Sequence, residues 1–404
     1  MSRPVVALDV TPLVGPRTGI ANSVEGILEG LRGLGGPTGV DDVGGVDDVV
    51  GVDDVVGLDD VGGLDDVGGL EGLKTLAGVP TVLPYVLGAP RHRHSLPAGA
   101  RLVPVPARLA LGAWSRLDRP RVDRWLPGAE VLHATNFVVP PSRLPTLTTV
   151  HDCSFALVPD TVAPHVHAFG PVLRRALGRG AHVHTATEQV ADEVEELFAP
   201  GLRAQGRLHV VPFGLPAPGP AGGVNPVPPG APYVLALGRV EPRKNLPALL
   251  RALPGVPGVR LVIAGPDGAG RPAVDEALAA LPARDRNRVL RLGPVDGAVK
   301  RALLENALAL AYPSLYEGFG FPVLEAMALG TPVLTANIPA LREVTGGCAL
   351  LVDPLDDQAV GAGLLRLAET GGVELLDAAR QHAAAFTWGR TAAGLAHVYD
   401  QLLV

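Results

Sequence analysis

One stretch, residues 308–335, restricts the fold of the whole chain. Leu308-Ala-Leu-Ala-Tyr312 is a short apolar run closed by Pro313 and Ser314, the pattern of a parallel strand buried on both faces. After a loop, Pro322 suits the first position of a helix, and Val323, Leu324, Met327 and Ala328 give it an apolar stripe. Gly330 stands where a C-terminal cap would end it. Thr331-Pro-Val-Leu-Thr335 then opens another strand. The segment is therefore one βαβ unit, and its loop lies at the carboxyl end of a parallel strand, where ligands meet such sheets.

That loop carries two acids. Glu317 and Glu325 stand eight positions apart in Glu317-Gly-Phe-Gly-Phe-Pro-Val-Leu-Glu325, the first on the loop and the second one turn inside the helix. At ~3.3 Å per extended residue the carboxylates lie roughly 10–15 Å apart. A sugar and a ribose joined through two phosphates are spaced comparably. The helix N-terminus between the acids offers backbone N–H groups and a positive dipole end to a pyrophosphate, while carboxylates suit sugar hydroxyls. A plainer reading, in which Glu325 complements the dipole and Glu317 is solvated, fits the spacing equally well.

The chain on either side divides into two α/β halves. In the first, Pro4 to Asp9 is a strand, and Ile20, Val24, Ile27, Leu28 and Leu31 mark one face of a helix. The loop Gly15-Pro-Arg-Thr-Gly19 before that helix suits a close backbone approach to an anion or a plain tight turn. It lacks the G-x-G-x-x-G dinucleotide pattern, which argues against a dehydrogenase. Val131 to Asn136 and Leu147 to Val150 are further strands, the second running directly into His151-Asp152. His133, His165, His182 and His184 read as structural. A linker rich in proline covers residues 216–232. The second half opens with the strand Tyr233 to Leu237, followed by the basic loop Gly238-Arg-Val-Glu-Pro-Arg-Lys-Asn245 and a helix through Leu249, Leu250 and Leu253. Cations on such a loop can neutralise a departing diphosphate. Leu261 to Gly265 and Val289 to Gly293 continue the sheet.

With these residues in view, the chain resembles the retaining glycosyltransferases of family 4, which have the GT-B fold. Glu317 to Gly330 with its flanks resembles that family's E-x7-E block, Thr149-Val-His-Asp152 with Phe155 and Pro159 its histidine loop, and Thr18-Gly-Ile20 its N-terminal loop. The resemblance covers nearly the whole chain outside residues 41–70. It implies an α/β protein of two Rossmann-like, doubly wound domains facing a central cleft. The acceptor-side domain would span 1–215, the linker 216–232 and the nucleotide-sugar domain 233–385. A C-terminal helix in 386–404 would pack back towards the first domain. Further implications concern the site. His151 would approach the transferred sugar, Glu317 would orient it and Glu325 would bind the ribose. Arg239 and Lys244 would meet the diphosphate, with Arg243 a weaker match, and Val295 the nucleobase. Gly19, Gly318, Phe319 and Gly320 would complete the donor site. The donor is expected to be a nucleoside diphosphate hexose, GDP-mannose on the strength of Pro242-Arg-Lys-Asn245 and His151-Asp152, and the acceptor a glycan, lipid-linked or small-molecule group. No cofactor or metal is expected, the nucleotide sugar being a substrate. An epimerase or phosphorylase of the same architecture, and a non-catalytic nucleotide-sugar-binding protein, stay open as alternatives.

Composition fits such a protein and bounds its partners. Residues 41–70 are five acidic hexads holding ten Asp, and without them the formal charge of −7 becomes a balance of 34 basic against 31 acidic residues. Their period of six fits neither helix nor strand, so they read as a disordered surface insertion rather than a calcium site. Arg101, Arg108, Arg116, Arg119, Arg121 and Arg124 with Trp114 and Trp125 could meet anionic lipid, but Asp118, Asp123 and Pro120 favour an ordinary solvated helix and turn. Peripheral contact with a membrane's inner face is kept as a second expectation beside a cytoplasmic protein. Nucleic acid is not expected as a partner, since no stripe combining basic and aromatic residues is present elsewhere. The two cysteines, Cys153 and Cys348, indicate no disulfide framework.

Overall fold

The computed structural model describes residues 3–14, 19–34, 79–88, 96–162 and 164–404. The acidic hexads of 41–70, residues 15–18 of the N-terminal loop, and the side chains of Arg108 and His165 lie outside what it describes.

Two parallel sheets form the molecule. The first contains β1 (Val5–Asp9), β2 (Thr81–Leu87), β3 (Arg101–Val103), β4 (Val131–Ala134), β5 (Thr146–Thr149), β6 (His182–Thr185) and β7 (Leu208–Val210), in the order β3-β2-β1-β4-β5-β6-β7. The second contains β8 (Tyr233–Leu237), β9 (Arg260–Ala264), β10 (Val289–Gly293), β11 (Ala309–Tyr312), β12 (Val333–Ala336) and β13 (Leu350–Val352), in the order β10-β9-β8-β11-β12-β13. Every pairing is parallel. Each order reverses direction once, between β1 and β4 in the first sheet and between β8 and β11 in the second. At such a switch point the loops diverge to opposite faces and leave a crevice.

The strands are short and apolar because helices cover both sheet faces, so alternation with polar residues is not needed. Val6, Ala7, Leu8, Leu132, Leu147, Leu235, Val262 and Leu310 are all buried. Residues 211–232 contain no helix or strand and lead from one sheet to the other. The C-terminal helix Trp388–Leu402 packs along the helix Gly19–Gly33. Glycine makes this contact possible: a Cβ on Gly26 would stand 2.0 Å from the Trp388 ring, and one on Gly30 would stand 2.4 Å from the Trp388 carbonyl oxygen.

A buried polar chain ties that helix to the first sheet. His133 on β4 bonds the Tyr399 hydroxyl through Nδ1 at 2.7 Å and Thr149 through Nε2 at 2.8 Å. Thr149 reaches His184 Nδ1 at 2.9 Å, and His184 Nε2 donates to the Val211 carbonyl at 2.8 Å. Burial pushes both imidazoles down, His184 to about 4, so both are neutral and fully bonded within the core. His182 stacks on His209 with ring nitrogens 3.0 Å apart.

The helix Phe321–Leu329 requires a correction to the apolar stripe. Ala328 is exposed, whereas Ala326 and Glu325 are buried beside Val323, Leu324 and Met327. Gly320, at φ 102, caps a helix that begins at Phe321, so Pro322 occupies its second position rather than its first. Leu253 is buried but belongs to a 3-10 turn beyond the helix Leu246–Ala252. In the Arg/Trp segment, Trp114 is fully buried and donates its indole N–H to the Pro120 carbonyl, while Arg124 stacks over Trp125.

Candidate active site

The carboxyl ends of β8 and β11 bring together residues 73 positions apart. The loop after β8 carries Lys244 and Arg243, and the loop after β11 carries Glu317. Glu317 is only 5% exposed, yet it is not alone. Its Oε1 accepts from Lys244 Nζ at 2.6 Å and its Oε2 from Arg243 Nη1 at 2.8 Å. Arg243 also donates to Glu241 at 3.0 Å and to the Tyr316 carbonyl at 3.2 Å. Lys244 reaches the Tyr312 hydroxyl and lies 4.4 Å from the centre of that ring.

Electrostatics follow from this packing. Burial alone would favour a protonated Glu317, but the adjacent Arg243 and Lys244 charges outweigh it and hold the carboxyl down at about 2. The Lys244 ammonium is pulled below its ordinary value by burial, with Glu317 opposing. Arg243 is held above its ordinary value by Glu317, Tyr312 and Glu241 despite its burial. The Glu317 carboxylate thus lies between two cations, one of which, Arg243, is shared with Glu241. Lys244, Gly238, Arg239 and Tyr312 line a small cleft. Arg239 is exposed and donates to the Asp267 carbonyl at 3.1 Å.

The second acid faces elsewhere. Glu325 accepts from Lys300 Nζ at 2.8 Å, and the pair lines a separate cleft of about 70 Å³ together with Leu215, Pro216 and Gly219. Val295, partly buried, stands between the end of β10 and the helix Gly297–Asn306 that carries Lys300. Gly19 begins its helix, with nothing within 4 Å of where a Cβ would be.

His151 belongs to the opposite wall, just past β5. Its Nε2 lies 2.9 Å from the Thr135 carbonyl oxygen. A carbonyl only accepts, so Nε2 bears the proton and the ring keeps Nδ1 as an acceptor. Burial pulls its pKa down, which keeps the imidazole neutral. The ring stacks on Phe213 at 5.5 Å, and Phe213 in turn meets Phe319 at 5.4 Å. Gly318 presses against this wall: a Cβ there would stand 1.9 Å from the His151 carbonyl oxygen. Glu317, Gly318 and His151 therefore meet where the two sheets face each other. Among the described residues, no three of His, Cys, Asp and Glu converge as a metal site.

A sequence profile described as "Glycosyl transferases group 1" matches residues 231–370, the segment that holds the Lys244–Glu317 pair and Glu325. The match covers the second sheet and its helices and does not extend to the first sheet. Over 165 residues it is 36% identical to the O-antigen chain mannosyltransferase B of Escherichia coli, a match covering 39% of this chain and 42% of that protein. Over 310 residues it is 29% identical to a glycogen synthase of Mycobacterium tuberculosis, covering 70% of this chain and 71% of that protein. The chain thus spans less than half the length of the mannosyltransferase it matches. Among solved structures, the sucrose-phosphate synthase from Thermosynechococcus elongatus superposes over 99% of both chains with a TM-score of 0.68 at 17% identity. The chain has the GT-B fold in common with it. No helix among the described residues is long and apolar enough to cross a membrane.

Two partners in this site were not foreseen from sequence. Lys300 lies 25 positions before Glu325 on another helix, and no local spacing joins them. Tyr316 directly precedes Glu317, but its hydroxyl acts across the molecule, as described below.

Proposed function

We propose that this chain moves a hexose from a nucleoside diphosphate sugar to a glycan, lipid-linked or small-molecule acceptor, with retention at the anomeric carbon. The observation that carries the proposal is the ionised Glu317 held by Lys244 and Arg243 at the switch point of the second sheet. Sugar hydroxyls entering this site would take over the acceptor sites of Glu317, freeing Lys244 to join Arg239 on the diphosphate as charge develops on the leaving group. Glu325 would bind the ribose beside Lys300, Val295 would border the nucleobase, and the turn Gly318-Phe319-Gly320 would bring the helix N-terminus to the phosphates. Neutral His151 would accept from a sugar hydroxyl through Nδ1, which makes it an orienting group rather than an acid. Gly19 would allow a close approach from the first sheet. Contact between the two walls excludes water that would hydrolyse the donor. The donor we favour is GDP-mannose, on the 36% identity with the mannosyltransferase and the Pro242-Arg-Lys-Asn245 match.

A panel of nucleotide sugars including GDP-mannose and UDP-glucose tests this. Nucleoside diphosphate should be released together with a glycosylated product when an acceptor is supplied. Donor turnover to an isomeric nucleotide sugar would favour an epimerase. Binding with no turnover for any donor and acceptor pair would favour a binding protein, and either result would contradict the proposal.

A further inference from the structure

Tyr316 is 7% exposed, and its hydroxyl reaches out of the second domain altogether. It donates to Glu193 Oε2 at 2.7 Å and accepts from the Cys153 backbone N–H at 2.6 Å. Glu193 lies on the helix Glu188–Leu197 of the first domain, and Cys153 is two residues beyond His151. One hydroxyl thus connects the residue before Glu317 to the loop that carries His151. Its backbone is fixed from the other side, since the Tyr316 carbonyl accepts from Arg243 at 3.2 Å.

The same two bodies are held at three neighbouring points. Thr187 donates its hydroxyl to the Gly318 carbonyl at 3.0 Å. Glu343, on the helix Pro339–Thr345 of the second domain, accepts from the Glu188 N–H at 3.0 Å, at the start of the first-domain helix. In return Gln189 accepts from the Ala340 N–H at 2.5 Å, so the two helices cap each other across the boundary. Gln189 also donates to Glu193 Oε1 at 2.6 Å, which fixes the carboxylate that receives Tyr316. A phenol bonded to a held carboxylate makes a short, charge-assisted contact.

We propose that Tyr316 is a positioning residue, the catch of an interdomain latch that sets Glu317 against His151 when the cleft is closed. The inference rests on the reading of Glu317 and His151 as facing walls of the donor site. Tyr316 touches no reacting atom in this scheme. It acts by holding two loops in register, and misplacement of reacting groups by about 1 Å costs on the order of a hundredfold in rate.

The test combines turnover with a distance. Tyr316→Phe and Glu193→Ala should each lower kcat about tenfold with the best donor of the panel, while the KM for that donor stays within about twofold. The double variant should be no slower than either single one, and Glu193→Gln, which keeps an acceptor, should recover most of the rate. Spin labels at Leu117→Cys and Val373→Cys, in a Cys348→Ser background, should give one narrow distance in the parent and a broad distribution in Tyr316→Phe. A Tyr316→Phe protein whose kcat stays within about twofold of the parent, or whose distance distribution is unchanged, would overturn the latch. Full turnover by Glu317→Ala would instead overturn the reading of the site. If no donor is turned over, the distance measurement alone decides the latch.

Discussion

Glu317 is ionised because two cations surround it rather than because water does. Its folded pKa is depressed, so the stability it contributes is complete above the ordinary carboxylate range and is lost as pH falls towards about 2. Asp9, at the end of β1, has the opposite sign. It is 2% exposed, and burial pushes its carboxyl up to about 6, although Thr11 donates to it from backbone N–H and hydroxyl. A raised carboxyl pKa favours folding only below the unfolded value and costs stability as pH rises through about 6. Asp9→Asn keeps an acceptor for Thr11 and removes the charge. Its melting temperature relative to the parent should therefore rise between pH 4.5 and pH 7.5, by the equivalent of about 2 kcal/mol at most; a difference that does not change with pH would show that Asp9 is not buried as a charge. Asp9 was legible in the sequence only as the end of a strand, because its environment is made by Tyr85 on β2 and by Thr135, just past β4, which donates to the Asp9 carbonyl. Lys300 and Tyr316 escaped for the same reason. By contrast, the neighbours of Glu317 lie on loops whose strand-to-helix pattern is local, and those could be read.

At the scale of elements, the sequence was informative wherever apolar runs and turn residues coincide. The βαβ unit around Glu317, the strand before His151 and the basic loop after β8 stand where periodicity puts them. Three-residue strands such as β3 and β7 gave no such signal, since their identity comes from pairing with longer neighbours. Gly318 shows what such pairing demands. Its approach to the His151 carbonyl leaves no room for a methyl group, so Gly318→Ala should separate the two loops. We expect a loss of about 1–3 kcal/mol in stability by urea unfolding, and a fall in turnover on the order of a hundredfold. Normal turnover would mean the loops need not touch. The C-terminal helix offers a second case. Tyr399→Phe leaves the buried His133 Nδ1 without its partner, at a cost of about 1–3 kcal/mol. Thermal denaturation should show that loss even though Tyr399 is remote from the Glu317 loop.

The whole molecule is two parallel sheets joined by residues 211–232 and by a C-terminal helix that returns to the first of them. This arrangement places loops from both sheets against each other and leaves the facing side chains to define the chemistry. The division of the two acids is the main change that structure brings to the sequence reading. Glu317 is tied to Lys244 and Arg243 at the switch point, whereas Glu325 is tied to Lys300 in a separate cleft beside the linker. A donor lying along the helix Phe321–Leu329 would touch both. The measurement that tests the account most directly is nucleoside diphosphate release by Glu317→Gln and Lys244→Ala, with folding checked by circular dichroism at the assay temperature. The account expects kcat/KM to fall at least about a hundredfold in each variant while the fold is kept. Near-normal release by both folded variants would contradict it.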